Sequence, residues 1–125
     1  MNDLETTSEL TSDEKTMALL SHLSAFIFAI IGPALILVIK GKESKFVEFH
    51  AKQALLYQAV TLAINFVIIL VVSFLTCGMC FPIFFLPFVT AIYGIVIGMK
   101  ANEGKWVGYK GMETFGLPEG QELDG

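Results

Sequence analysis

Two long stretches of the sequence carry no charged side chain, and they constrain the fold more than any other feature. Residues 16–39 and 53–99 contain no Asp, Glu, Lys or Arg, which gives uncharged runs of 24 and 47 residues. A helix needs about 20 mostly apolar residues to cross the hydrocarbon core of a bilayer. The first run therefore accommodates one membrane-spanning helix, and the second accommodates two helices with a turn between them.

The composition excludes several classes of protein. Hydrophobic residues make up 54% of the chain and charged residues only 16%, whereas a soluble domain is about 25% charged. These values exclude a soluble globular domain, a disordered chain and a nucleic-acid binder. We expect the lipid bilayer as a partner, together with other membrane proteins or a second copy of the chain, and no nucleic acid.

The predicted fold is all-α, with three transmembrane helices at about 17–39, 51–74 and 82–99. The second and third helices form a hairpin. Gly32-Pro33 lies inside the first span and predicts a kink, because proline removes a backbone hydrogen bond. The membrane domain is expected to cover residues 16–110.

Both ends of the chain are acidic outside this domain. Residues 1–15 form an acidic N-terminal tail that contains Asp3, Glu5 and Glu9. Residues 111–125 are expected to form an acidic, disordered C-terminal tail.

Lysine placement sets the orientation, because basic residues beside a span favour the cytoplasmic side. The lysines next to the spans are Lys40, Lys42, Lys45, Lys52, Lys100, Lys105 and Lys110. We expect a multi-pass protein of the cytoplasmic (inner) membrane, with loop 40–52 and segment 100–110 inside and turn 76–80 outside. A first span that crosses fully puts the N-terminus and His22 on the outer side, across the membrane from His50. A re-entrant first segment puts the N-terminus inside.

The second helix carries a polar stripe at spacings of three and four residues. Its members fall within about 120° of one another on the helix, and they are His50, Gln53, Tyr57, Thr61 and Asn65. Polar groups that face lipid are costly, so the stripe is expected to face the other helices or a partner. It either makes hydrogen bonds between helices or lines a hydrated path or substrate groove.

Small residues mark faces of the other two helices. Ser21, Ala25 and Gly32 lie on one side of the first, and Gly94 and Gly98 form a Gly-x-x-x-Gly on the third. Such spacing lets helices approach closely in lipid. The contact is either within the chain or between copies.

Cys77 and Cys80 flank the outer turn. They form a disulfide or stand in a simple turn of small residues; metal binding or catalysis there lacks the usual ligand number or context. The spans contain no carboxylate, which argues against most membrane hydrolases and proton-driven carriers. We therefore predict no enzyme and no catalytic, cofactor-binding or metal-binding residue. Trp106 and Tyr109 are expected to lie along the inner membrane surface.

Three stretches together resemble a known family. They are 21–24 with Gly32-Pro33, 45–55 with Tyr57-Gln58, and 100–106. They resemble the Tic-twenty-like family of small prokaryotic membrane proteins, which carry a domain of unknown function and are similar to a chloroplast inner-envelope protein-import component. The resemblance covers residues 16–110. It implies a helical protein with few spans and no agreed catalytic residues.

Taken together, these features predict a non-enzymatic accessory or scaffold subunit that acts through helix–helix contacts. One alternative is an oligomeric pore, or a component that transports small solutes or protein, using the polar stripe. Another is an exterior thiol or disulfide function at Cys77 and Cys80.

Overall fold

A computed structural model describes residues 10–124, and all regular secondary structure within them is helical. This confirms the predicted all-α class. Asp3, Glu5 and Glu9 of the predicted N-terminal tail lie outside the described residues. The elements in chain order are α1 (Ser12–Phe28), α2 (Ile31–Lys40), α3 (Lys45–Leu75), a 3₁₀ helix (Phe81–Phe85) and α4 (Leu86–Asn102).

The first apolar run reverses direction instead of forming one helix. Ala29 has φ 52° and ψ −129°, a conformation that is costly for a residue with a Cβ. α2 then packs back on α1 so closely that a Cβ on Gly32 would lie 2.5 Å from the Ser24 Oγ. The prediction of a single kinked helix over 17–39 is therefore wrong. Pro33 lies in the first turn of α2, where a missing N–H costs little.

The starts of α1 and α3 lie side by side. Thr11 and Glu14 form the capping box that their spacing predicts, with the Glu14 N–H donating to the Thr11 hydroxyl at 3.1 Å. The Ser44 hydroxyl donates to the Glu14 carboxylate and also caps α3 at the Val47 N–H. The antiparallel pair of α1 and α2, called the re-entrant pair below, therefore begins and ends at the same end of the molecule.

α3 and α4 run antiparallel. The Tyr57 hydroxyl donates to the Thr90 carbonyl at 2.7 Å, and the Asn65 amide donates to the Thr90 hydroxyl at 3.1 Å. Among the described residues, two helical stretches are long and apolar enough to cross a membrane, Lys45–Leu75 and Phe81–Asn102. The predicted first span, 17–39, finds no counterpart, because α1 and α2 divide its residues between them.

Large buried side chains gather at the end of the bundle that holds the lysines. The cluster there comprises Leu10, Ala18, Phe46, Phe49, Ala101 and Trp106, with Leu117 packed against it. Towards the other end the apolar side chains become exposed, and Phe74 reaches 82%. Apolar side chains are exposed in this way where a helix faces lipid.

The C-terminal segment packs against this core, where the sequence predicts disorder. The Trp106 N–H donates to the Asp124 carboxylate at 2.7 Å, and the Asp124 N–H donates to the Trp106 carbonyl at 2.9 Å. The segment has polar partners on α3 that composition does not reveal. Gly125 lies outside the described residues.

Candidate functional site

Two histidines and a tyrosine form a buried chain of hydrogen bonds in the core. The His22 Nε2 lies 3.0 Å from the His50 Nδ1, and the His22 Nδ1 lies 2.7 Å from the Tyr109 hydroxyl. The His50 Nε2 lies 2.9 Å from the Lys105 carbonyl oxygen. The three side chains thus join α1, α3 and the segment after α4.

The proton positions in this histidine–tyrosine chain follow from its last acceptor. A carbonyl oxygen can only accept, so the His50 Nε2 carries a hydrogen and donates it to Lys105. The Nδ1 of a neutral His50 then accepts from the His22 Nε2, and the His22 Nδ1 accepts from Tyr109. Every ring nitrogen is used, so neither neutral histidine has a lone pair left for a metal ion. Within residues 10–124 no group of three metal-ligating side chains is found.

Tyr109 is held as a neutral phenol. Burial raises its pKa, and the neighbouring Tyr57 and Tyr93 raise it further. Its ring stacks on that of Tyr57, with centroids 3.9 Å apart and planes within 3°. The hydroxyl therefore remains a hydrogen-bond donor to His22 throughout the physiological pH range.

Small residues of α4 leave space for the hydrogen-bonded side chains of His22 and Tyr109. A Cβ on Gly98 would lie 3.0 Å from the His22 Cβ and 3.2 Å from the Leu19 Cδ1, and one on Gly94 would lie 3.4 Å from the Tyr109 hydroxyl. The structure thus places the Gly-x-x-x-Gly of α4 against the chain's own α1 and Tyr109. The residues Ala18, Ser21 and Ala25 of α1 are buried as well.

Gln53 of the polar stripe holds the C-terminal segment. Its Nε2 donates to the carbonyls of Met112 and Phe115 at 2.6 and 2.8 Å. Its Oε1 accepts from the Tyr109 N–H at 2.9 Å. One buried amide therefore satisfies three backbone groups of a segment that has no regular secondary structure.

The deeper members of the stripe face α4. Tyr57 and Asn65 bond to Thr90, whereas the Thr61 hydroxyl donates to the Tyr57 carbonyl of its own helix at 2.7 Å. A cavity of about 190 Å³ lies beside them, and its lining includes Phe26 and Phe88. The structure thus brings all five stripe residues to one face, where hydrogen bonds join the helices beside this cavity.

Three residues have surroundings that differ from the predicted ones. His22 contacts His50 instead of lying across the membrane from it, because the first run turns back. Trp106 and Tyr109 are 2% and 1% exposed, so the prediction that they lie along the membrane surface is wrong. A polar His22 inside an apolar run is the one sequence signal of a buried partner, and the predicted topology does not take it into account.

The two cysteines are free and lie in the turn between α3 and the 3₁₀ helix. Cys77 is exposed, Cys80 is half-buried, and the backbone turns sharply there, with φ 51° at Cys77 and 79° at Gly78. The disulfide and the exterior thiol function remain predictions.

Comparison with known families gives a match over most of the chain. Residues 13–115 match the model of the magnetosome magnetite crystal formation protein family, MamF/MmsF. No curated protein and no solved structure matches the chain. The match overturns the resemblance to the Tic-twenty-like family. Two of the stretches behind that resemblance, 45–55 and 100–106, are polar patches beside apolar helices, and such patches occur wherever a helix leaves a membrane.

Proposed function

The chain belongs to the magnetosome magnetite crystal formation protein family, and on that premise we propose that it is a non-enzymatic accessory membrane protein of magnetite formation. It acts through contacts with lipid and with other membrane proteins. The observation that carries this proposal is the histidine–tyrosine chain, whose polar groups bond to one another and to the backbone. Such an arrangement holds a framework in shape and leaves no group directed at a substrate.

The proposed topology has two spans. α3 and α4 cross the bilayer, and the re-entrant pair enters and leaves it on the lysine-rich side, which is cytoplasmic. Support comes from the contact between the starts of α1 and α3 and from the lysines beside them. This topology replaces the predicted three spans. Turn 76–80 lies on the side of the membrane opposite the lysines.

Epitope tags on the two ends of the chain test the topology. We expect N-terminal and C-terminal tags to be digested together by protease added to closed, inverted vesicles, because both ends lie on the lysine-rich, cytoplasmic side, which faces outward there. In the same vesicles Cys77 should react with an impermeant thiol reagent only after detergent. Protection of one tag and digestion of the other would instead restore a first span that crosses fully.

Crystal formation tests the proposed role. Removing the gene from a magnetite-forming host is expected to change the number or size of crystals seen by electron microscopy, and the wild-type chain should restore them. His50→Leu should reach the membrane but restore them poorly, because it breaks the bonds to His22 and Lys105. Unchanged crystals in the deletion strain would refute the role.

The 190 Å³ cavity favours one second candidate, a transport component. In that case Asn65→Leu should abolish uptake of Fe²⁺ into vesicles while the protein still assembles, because it loses a single bond to Thr90. Val67→Leu, on the exposed surface of the same helix, is the matched control. Equal uptake by both variants would remove the stripe from consideration as a path.

A further inference from the structure

The re-entrant pair covers only part of α3. At its tip the Phe26 ring lies 6.2 Å from that of Phe88, and Asn65 lines the cavity beneath it. Beyond Asn65, α3 continues to Leu75. Ten residues of helix rise about 15 Å, which is about half of a hydrocarbon core of about 30 Å.

The lengths of α1 and α2 also indicate that the re-entrant pair reaches about half-way through the hydrocarbon core. The apolar part of α1, residues 17–28, rises about 18 Å, and the ten residues of α2 rise about 15 Å. Each therefore spans one leaflet. Four helices lie side by side at the level of the lysine-rich leaflet, and α3 and α4 alone continue through the other leaflet with the 3₁₀ helix.

The tip of the re-entrant pair is apolar and uncovered by protein. Ile27, Phe28 and Ile31 are 71%, 61% and 65% exposed. Exposed apolar side chains continue around the bundle on α2, α3 and α4, among them Val38, Phe66, Val89 and Ile92. A second copy would cover one side of the bundle, whereas this surface surrounds it, which is the pattern that lipid chains require.

We infer that the chain is wedge-shaped in the membrane and prefers bilayers that are convex on the lysine-rich side. A helix with its side chains is about 10–12 Å across, so two extra helices add about 180 Å² to one leaflet alone. Adding area to one leaflet bends the bilayer so that this leaflet becomes the outer, convex one. The inference rests on the proposed two-span topology and assigns the re-entrant pair a further function, selection or stabilisation of curved membrane.

Orientation in vesicles of different size tests the inference. The purified full chain is reconstituted into vesicles about 30 nm and about 400 nm across, and an impermeant maleimide then reports the exposed fraction of Cys77 and Cys80. In large vesicles both orientations should be equal, and about half of the thiols should react. In small vesicles the wide end should face outward, so the ratio of protected to labelled thiols should rise about threefold.

Two double variants separate the wedge from other causes. Ile27→Asp with Phe28→Asp places charge at the tip, which is costly in hydrocarbon, and should abolish the dependence on vesicle size. Phe74→Asp with Leu75→Asp changes two residues at the narrow end that are even more exposed and should keep it. If the tip variant fails to insert, the dependence of labelling on vesicle size in the wild type alone tests the wedge.

Two results would overturn the inference in different ways. Half labelling at every vesicle size would reject the wedge and leave the two spans intact, and crosslinks between tips would then assign this face to a second copy. Complete labelling without detergent at every size would mean that turn 76–80 always faces outward, which contradicts the preference of the wide end for the outer leaflet, and digestion of the terminal tags then tests the spans separately. Neither result bears on whether the chain affects crystals.

Discussion

Replacing Trp106 by alanine is expected to lower the free energy of unfolding by about 3–5 kcal/mol, the usual cost of removing a buried aromatic side chain. The indole is 2% exposed and packs edge-on against Phe46 and at a tilt against Phe49, with ring centroids 5.0 and 5.4 Å apart. Alanine leaves a cavity where α3 meets the segment after α4. Unfolding in detergent micelles, followed by near-ultraviolet circular dichroism of the remaining aromatic residues, measures the change.

Two control variants test whether the loss of stability comes from removing a buried aromatic side chain. Trp106→Phe keeps an aromatic ring against Phe46 and should cost clearly less than alanine. Phe115→Ala removes an aromatic ring that is 46% exposed and should cost under about 1 kcal/mol. If Trp106→Ala cost no more than Phe115→Ala, the indole would lie at the headgroup level, as the sequence alone predicts.

The sequence predicts the two long helices well because charged residues mark their lysine-rich ends and an uncharged turn with Gly78 separates their other ends. The predicted second span, 51–74, lies inside α3, and the predicted third, 82–99, overlaps the 3₁₀ helix and most of α4. The prediction fails in the first run, because the reversal there depends on packing between α1 and α2 that no residue of the turn indicates. Ala29 carries no turn chemistry, and the close approach of Gly32 to Ser24 appears only after α2 has packed on α1.

For the polar stripe, too, the sequence predicts one part of the structure and misses another. Helical periodicity places His50, Gln53 and Tyr57 on one face, and the structure has them there. Periodicity cannot say what that face meets, because the partners come from elsewhere in the chain. They include Tyr109, in a segment whose aromatic and basic residues are typical of a membrane surface, and backbone groups, which have no sequence signature.

Gln53→Leu is expected to release the C-terminal segment from α3. The substitution keeps the size of the side chain but leaves the Tyr109 N–H and the Phe115 carbonyl without their partner. The Met112 carbonyl loses one of its two donors and keeps the Phe115 N–H. A buried polar group left unpaired costs about 1–3 kcal/mol, so the segment should open to water instead of staying packed. Trypsin should then cleave after the exposed Lys110 at least about tenfold faster than in the wild type, since cleavage follows the population of the open form.

Gln58→Leu is the matched control for this change. Gln58 lies on the same helix and lines the cavities beside α1, and its side chain makes no hydrogen bond within residues 10–124. The same chemical substitution there should leave cleavage after Lys110 at the wild-type rate. The C-terminal segment packs directly on the Gln53 amide, since a Cβ on Gly108 would lie 2.6 Å from the Gln53 Oε1. This close packing strengthens the expectation that Gln53→Leu, and not Gln58→Leu, releases the segment. Equal cleavage rates for the two variants would mean that packing by Trp106, and not Gln53, holds the segment.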